Sequence, residues 1–210
     1  MKPLEYYIYN IPVFVYGSRP PEIDIPDFCT SIEEMLPRGV LRNIDICYIM
    51  ESPILNGRTA TYSDGAIYID IEEPTNEDLI ESFVHEVAHA AEQTYAQFIY
   101  DDRLIIEFKG KRRKLFHLLS AEGFNQMSLR MYDFSEYNKK FDDFLANTVG
   151  YPTLLSLTMG LFCSPYGATS IQEYFANGFE KYFTESPEYV KNISPILYKK
   201  IEEIINDNET

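Results

Sequence analysis

The sequence predicts an α+β fold, with strands gathered in the first third of the chain and helices after them. Two observations carry that expectation. Up to residue 72, apolar positions come in short β-branched and aromatic runs separated by turn residues. From Thr75 onward they recur at helical spacing instead, through Leu79, Ile80, Phe83, Val84, Val87 and Ala91. The 210 residues fit one domain with a sizeable core, and no linker or change of composition divides them.

Each element has its own warrant. Tyr6–Tyr16 reads as one strand, or two broken at Pro12. Thr30 or Ser31 is placed to cap a short helix that Pro37 stops. Ile44–Met50 is a continuous apolar run of strand length. Arg58–Tyr62 and Ala66–Ile71 are two more strands joined by the turn pair Asp64-Gly65. The expectation is a twisted sheet of about four strands packed on the helix after Thr75, which with Asp78 resembles a capping box. Further helices are expected near Leu115–Gln126, Glu136–Thr148, Pro152–Phe162, Ser170–Phe183 and Ser194–Ile205, while Leu104–Phe108 alternates like a strand.

Composition excludes several classes. With 33 acidic and 18 basic residues the formal charge is −15, which argues against general nucleic-acid binding. The basic run Lys109–Lys114 reads as a solvated loop and helix start, with docking of an acidic substrate or a nucleic acid as its alternative. No apolar run approaches the roughly 18–20 residues of a membrane span. The segment from Met1 has no apolar signal core, so a cytoplasmic chain is expected, with secretion after removal of a signal peptide as the alternative. Cys29, Cys47 and Cys163 are widely spaced and read as buried, reduced thiols.

One motif carries chemistry. His85-Glu86-Val87-Ala88-His89 is an H-E-x-x-H sequence within the first strong helix, and about 0.004 such matches are expected by chance in this composition. At i and i+4 the two imidazoles lie about 40° apart on one helix face, so both can reach a single ion. Glu86 sits beside them, able to take a proton from water without being a ligand. A catalytic zinc needs a third protein ligand. The residues leave His117, Glu107, Glu122 and Glu173 as candidates; Glu92 and Tyr95 stand where a metzincin would have glycine and histidine. Glu92, three residues after His89, is placed to orient a ligand histidine.

Ala60-Thr61-Tyr62 and Gly65–Ile69, followed by His85–His89 and then Glu173-Tyr174-Phe175-Ala176, together resemble the zincin domain of the anthrax-lethal-factor-like zinc metallopeptidases. That family includes the clostridial Pro-Pro endopeptidases. The likeness covers about Ile44–His89 and Tyr166–Ile205. In the family a tyrosine seven residues before the glutamate ligand lies over the metal, and Tyr166 stands seven before Glu173. The resemblance therefore implies a zincin-like fold, Zn²⁺ held by His85, His89 and Glu173, and Tyr166 as a hydrogen-bond donor to the developing oxyanion. Gly167 would give the Tyr166 loop its backbone freedom. Eighty-three residues separate His89 from Glu173, more than the family usually has, so a helical insertion is expected around 98–161. The function expected is that of a zinc-dependent endopeptidase acting on peptide or protein substrates. The rival from another class is a zincin-shaped binding or structural module, such as an assembly component or toxin-like subunit.

Overall fold

The computed structural model describes residues 3–208; Met1 and Lys2, which head the segment read for a signal, lie outside the described residues, as do Glu209 and Thr210. The fold is α+β, with a mixed sheet in the first part of the chain and helices in the remainder. The chain falls into two compact units, residues 1–95 with 203–210, and residues 96–202.

The first unit holds β1 (Leu4–Ile8), β2 (Ile11–Val15), α1 (Ile25–Met35), β3 (Ile46–Ile49), β4 (Ala60–Ser63) and β5 (Ala66–Ile69). Among the described residues five strands form where about four were expected, in the order β1-β2-β3-β5-β4. The extra one arises because Tyr6–Tyr16 is a hairpin, turning at Tyr9 with φ 53°. Pro12 does not break it. β3 pairs with β2 only from Val13 to Val15, so the missing proline N–H costs the ladder nothing there. β2, β3 and β5 run parallel, and β4 returns antiparallel through Asp64-Gly65, both at positive φ, as a tight hairpin requires.

Alternation then sorts the faces. Val13, Cys47 and Ile67 are fully buried on one side, while Phe14, Tyr48 and Tyr68 stack across neighbouring strands on the other, half-buried. α1 starts earlier than expected. Asp24 caps it by accepting the Asp27 N–H (3.1 Å), and Thr30 instead donates back to the Pro26 carbonyl (3.0 Å).

α2 (Asn76–Ile99) carries the H-E-x-x-H sequence. Its start is the expected one: Thr75 Oγ1 accepts the Asp78 N–H (3.1 Å) and donates to the Asp78 carboxylate (2.6 Å). Phe83 meets Phe28 of α1 edge to face with ring centroids 5.6 Å apart, and the Asn43 amide donates to the Ala90 carbonyl (2.8 Å).

In the second unit are α3 (Asp102–Ala121), α4 (Leu129–Tyr132), α5 (Lys139–Asp143), α6 (Tyr151–Thr158), α7 (Ile171–Thr184) and α8 (Pro187–Ile193); α9 (Pro195–Asn208) closes the described chain. Leu104–Phe108, read above as strand-like, belongs to α3. The helix buries Leu104, Phe108, Lys111, Arg112, Leu115 and Leu119, a helical stripe with two cations inside it. Treating Lys111 and Arg112 as surface residues hides that stripe. The basic run is accordingly neither loop nor open patch: Lys111 is 8% exposed and Arg112 1%. The Glu136–Thr148 helix divides into α5 and a π-helical turn over Phe144–Val149, closed by Gly150 at φ 81°. α8, which the sequence reading missed, is announced by Ser186-Pro187, with Ser186 accepting the Tyr189 N–H (3.1 Å).

All three cysteines are buried and free, and burial pushes the Cys29 thiol up to about 12 and the Cys163 thiol up to about 11. Among the described residues no helix is long and apolar enough to cross a membrane.

Candidate metal centre

In the first unit, α2 presents His85 and His89 on one face, both half-buried, with ring centroids 5.0 Å apart. His89 Nδ1 lies 2.9 Å from Glu92 Oε1. A carboxylate there holds the proton on Nδ1 and puts the ring lone pair on Nε2, the tautomer a metal ligand needs. Glu92 thus makes the contact expected of it.

Glu86 is only 7% exposed. Its Oε2 accepts the backbone N–H of Tyr62 in β4 at 2.6 Å. The Tyr62 side chain is itself tied down, donating to the Asn43 carbonyl (3.0 Å) and accepting from the Gly65 N–H (3.2 Å). β4 is a sheet edge, so that N–H is free of the strand ladder and available to hold a carboxylate. Nothing in the sequence announced this contact, because it joins a strand backbone to a side chain 24 positions away.

In the second unit, Ser170 caps α7 by accepting the Glu173 N–H (3.2 Å), which sets Glu173 in the first turn. Tyr166 opens a single 3₁₀ turn, Tyr166–Ala168, and is half-buried. Gly167 is not at positive φ, so the freedom anticipated for it is not used. A Cβ there would meet the Glu173 carbonyl (3.7 Å) and Asn177 Cβ (3.6 Å) at ordinary van der Waals distance, so space does not demand glycine either. The link between this turn and α7 through Ser164 and Asn177 was also missed in the sequence, although an asparagine among Tyr174, Phe175, Ala176 and Phe179 is a visible anomaly.

The remaining candidates have other engagements. Glu107 Oε1 accepts from the Tyr174 hydroxyl (2.9 Å) and the Leu197 N–H (3.2 Å), and its Oε2 accepts from the Ile196 N–H (2.9 Å), so it caps α9. His117 is exposed on α3 with its ring against Phe116, and Glu122 is the exposed C-cap of that helix. Among the described residues, His85, His89 and Glu173 each offer a ligand atom, and these atoms lie within 4.8 Å of one another, a group that could hold a metal ion. Two imidazoles and a carboxylate form the donor set of a three-ligand zinc site, whose bonds of about 2.0–2.2 Å place tetrahedral ligand atoms roughly 3.3–3.6 Å apart. Compared with known protein families, curated proteins and solved structures, the chain matches none.

Proposed function

We propose that this chain is a zinc-dependent endopeptidase with zincin-like packing, of the kind found in the anthrax-lethal-factor-like metallopeptidases it resembles. The observation that carries the proposal is the mutual approach of ligand atoms from His85, His89 and Glu173, with Glu86 next to His85 in the same helix. Bound there, Zn²⁺ would supply Lewis-acid activation of a water and of a peptide carbonyl.

Glu86 is the general base. Its carboxylate takes the proton as water attacks the scissile carbonyl, then passes it to the leaving amine. The Tyr62 N–H holds one carboxylate oxygen and so orients the group within α2. Tyr166 donates a hydrogen bond to the oxyanion, a contact stronger in the transition state than in the ground state. β4 is the edge along which an extended substrate backbone lies by strand addition. That edge begins at Ala60 rather than Arg58, and the Tyr62 N–H is already committed to Glu86.

Metal analysis of the purified chain, followed by cleavage of a mixed peptide library, tests the proposal. About one zinc per chain with cleavage that Glu86→Ala abolishes while keeping the zinc is the expected result. A zinc-bound chain that cuts nothing would favour the binding-module alternative, and a chain without zinc would overturn the metal assignment itself.

A further inference from the structure

A polar network in the second unit joins the Tyr166 turn to the helix that carries Glu173. Ser164 Oγ accepts the Gly167 N–H (3.3 Å) and donates to the Asn177 side-chain oxygen. The Asn177 amide nitrogen donates to the Glu173 carbonyl (2.8 Å). Within the turn itself, Thr169 Oγ1 donates to the Tyr166 carbonyl (2.8 Å). Asn177 is 5% exposed in the middle of α7, where asparagine is a poor helix former and an unbonded amide would be costly. Both of its polar ends are bonded, one to each partner. Alanine would satisfy the helix better, so the asparagine is explained by what it bridges.

We infer that Ser164 and Asn177 are positioning residues that lock the Tyr166 turn to the first turn of α7, fixing the distance between the tyrosine and Glu173. The role rests on the reading of Tyr166 as oxyanion donor. Without the clamp the Tyr166–Ala168 turn keeps its own backbone hydrogen bonds, Ala168 N–H to Pro165 and Thr169 N–H to Tyr166, and its packing on α7, but loses the side-chain bond that ties the Gly167 amide to the helix. The phenol then samples more positions, and the hydrogen bond to the oxyanion weakens while metal binding persists.

A double-mutant cycle tests this in the zinc-loaded chain. Ser164→Ala is measured with Tyr166 intact and in the Tyr166→Phe background, with Ser164→Thr as the conservative rescue. With Tyr166 intact, Ser164→Ala should lower kcat roughly tenfold with KM within about twofold of the parent. Zinc content should be unchanged, and Ser164→Thr should recover most of the rate. In the Tyr166→Phe background the same substitution should cost nothing further. Equal losses in both backgrounds would overturn the role, because a merely structural serine does not act through one hydroxyl. Amide hydrogen exchange gives a readout independent of turnover: Gly167 should exchange faster in Ser164→Ala and in Asn177→Leu, and unchanged exchange in both would show that no clamp exists. If the parent cleaves no peptide but Gly167 responds, the peptidase reading has failed and the catalytic role of the clamp falls with it, while the mechanical link stands.

Discussion

α2 and α3 both bury charge, and they do so in opposite ways. In α3 the buried groups are cations that grip carbonyls: Lys111 Nζ donates to Leu161 and Ile193 (both 2.7 Å), and Arg112 donates to Phe134 (2.8 Å) and Met131 (3.0 Å). Arg112 also lies over the Phe141 ring at 4.0 Å. Burial pulls the Arg112 guanidinium down to about 10 and the Lys111 ammonium below its usual range. In α2 the buried charge is Glu86, held by an edge-strand amide and standing next to two half-exposed histidines, one oriented by Glu92. Each α3 cation makes two hydrogen bonds to main-chain oxygens, so it staples helices and loops. The donor atoms of His85 and His89 in α2 lie on one face, in a group that could hold a metal ion. Buried charge alone therefore does not distinguish a staple from a possible metal site; the direction in which lone pairs and protons are offered does.

The sharpest test of that contrast is metal loss. His85→Ala, His89→Ala and Glu173→Ala should each take zinc from about one per chain to near none, while His117→Ala leaves it unchanged. Metal analysis after dialysis reads this directly, and a His117 variant that loses zinc would reassign the third ligand.

Removing the base comes next. Glu86→Gln should retain zinc and lower peptide cleavage by about 10²–10⁴. Tyr166→Phe should cost on the order of 10²–10³ in turnover with near-unchanged melting temperature. Parental turnover in either variant would remove that residue from the mechanism.

The α3 staples should fail as structure. Arg112→Met leaves two carbonyls without their donors and should cost about 2–4 kcal/mol in urea unfolding, with zinc content intact in the protein that remains folded. Joint neutralisation of Lys111, Arg112, Arg113 and Lys114 is thus expected to destabilise the second unit and does not probe a docking patch. Changing only Arg113, which meets Asp133 on the surface at 2.6 Å, together with exposed Lys114, should leave melting near parental.

The smallest effect concerns Tyr132, buried beside Arg112 with a hydroxyl that has no hydrogen-bond partner. Burial pushes its phenol up to about 12, and the nearby guanidinium opposes that rise only in part. The folded state therefore prefers the protonated phenol, and the associated stability, complete below the unfolded value of about 10, is lost as pH rises toward 12. Tyr132→Phe should remove that alkaline component and change neutral-pH stability by less than about 1 kcal/mol. Parallel alkaline melting curves for the two proteins would show that another group governs the transition.

Features governed by near neighbours were legible in the sequence. The Thr75–Asp78 cap, the Asp64-Gly65 hairpin and the placing of His85, Glu86 and His89 on one helix depend on bonds spanning a few residues, and all are found as read. Errors cluster where burial overrode residue type. Leu104–Phe108 looked like a strand because its helical stripe continues through Lys111 and Arg112, and the basic run looked exposed for the same reason. The choice among Glu107, Glu122, His117 and Glu173 could not be made from local pattern, since all four lie on helices or at a helix end.

The sequence by itself determined the two-histidine face of α2, the early strands and the caps, because periodicity and short-range hydrogen bonds are written within a few positions. Tertiary structure alone decided that Glu107 caps α9, that Lys111 and Arg112 belong to a core, and that Tyr62 of an edge strand holds Glu86. Those outcomes depend on which chain segments pack together, and desolvation and long-range hydrogen bonding set that only when the fold is complete.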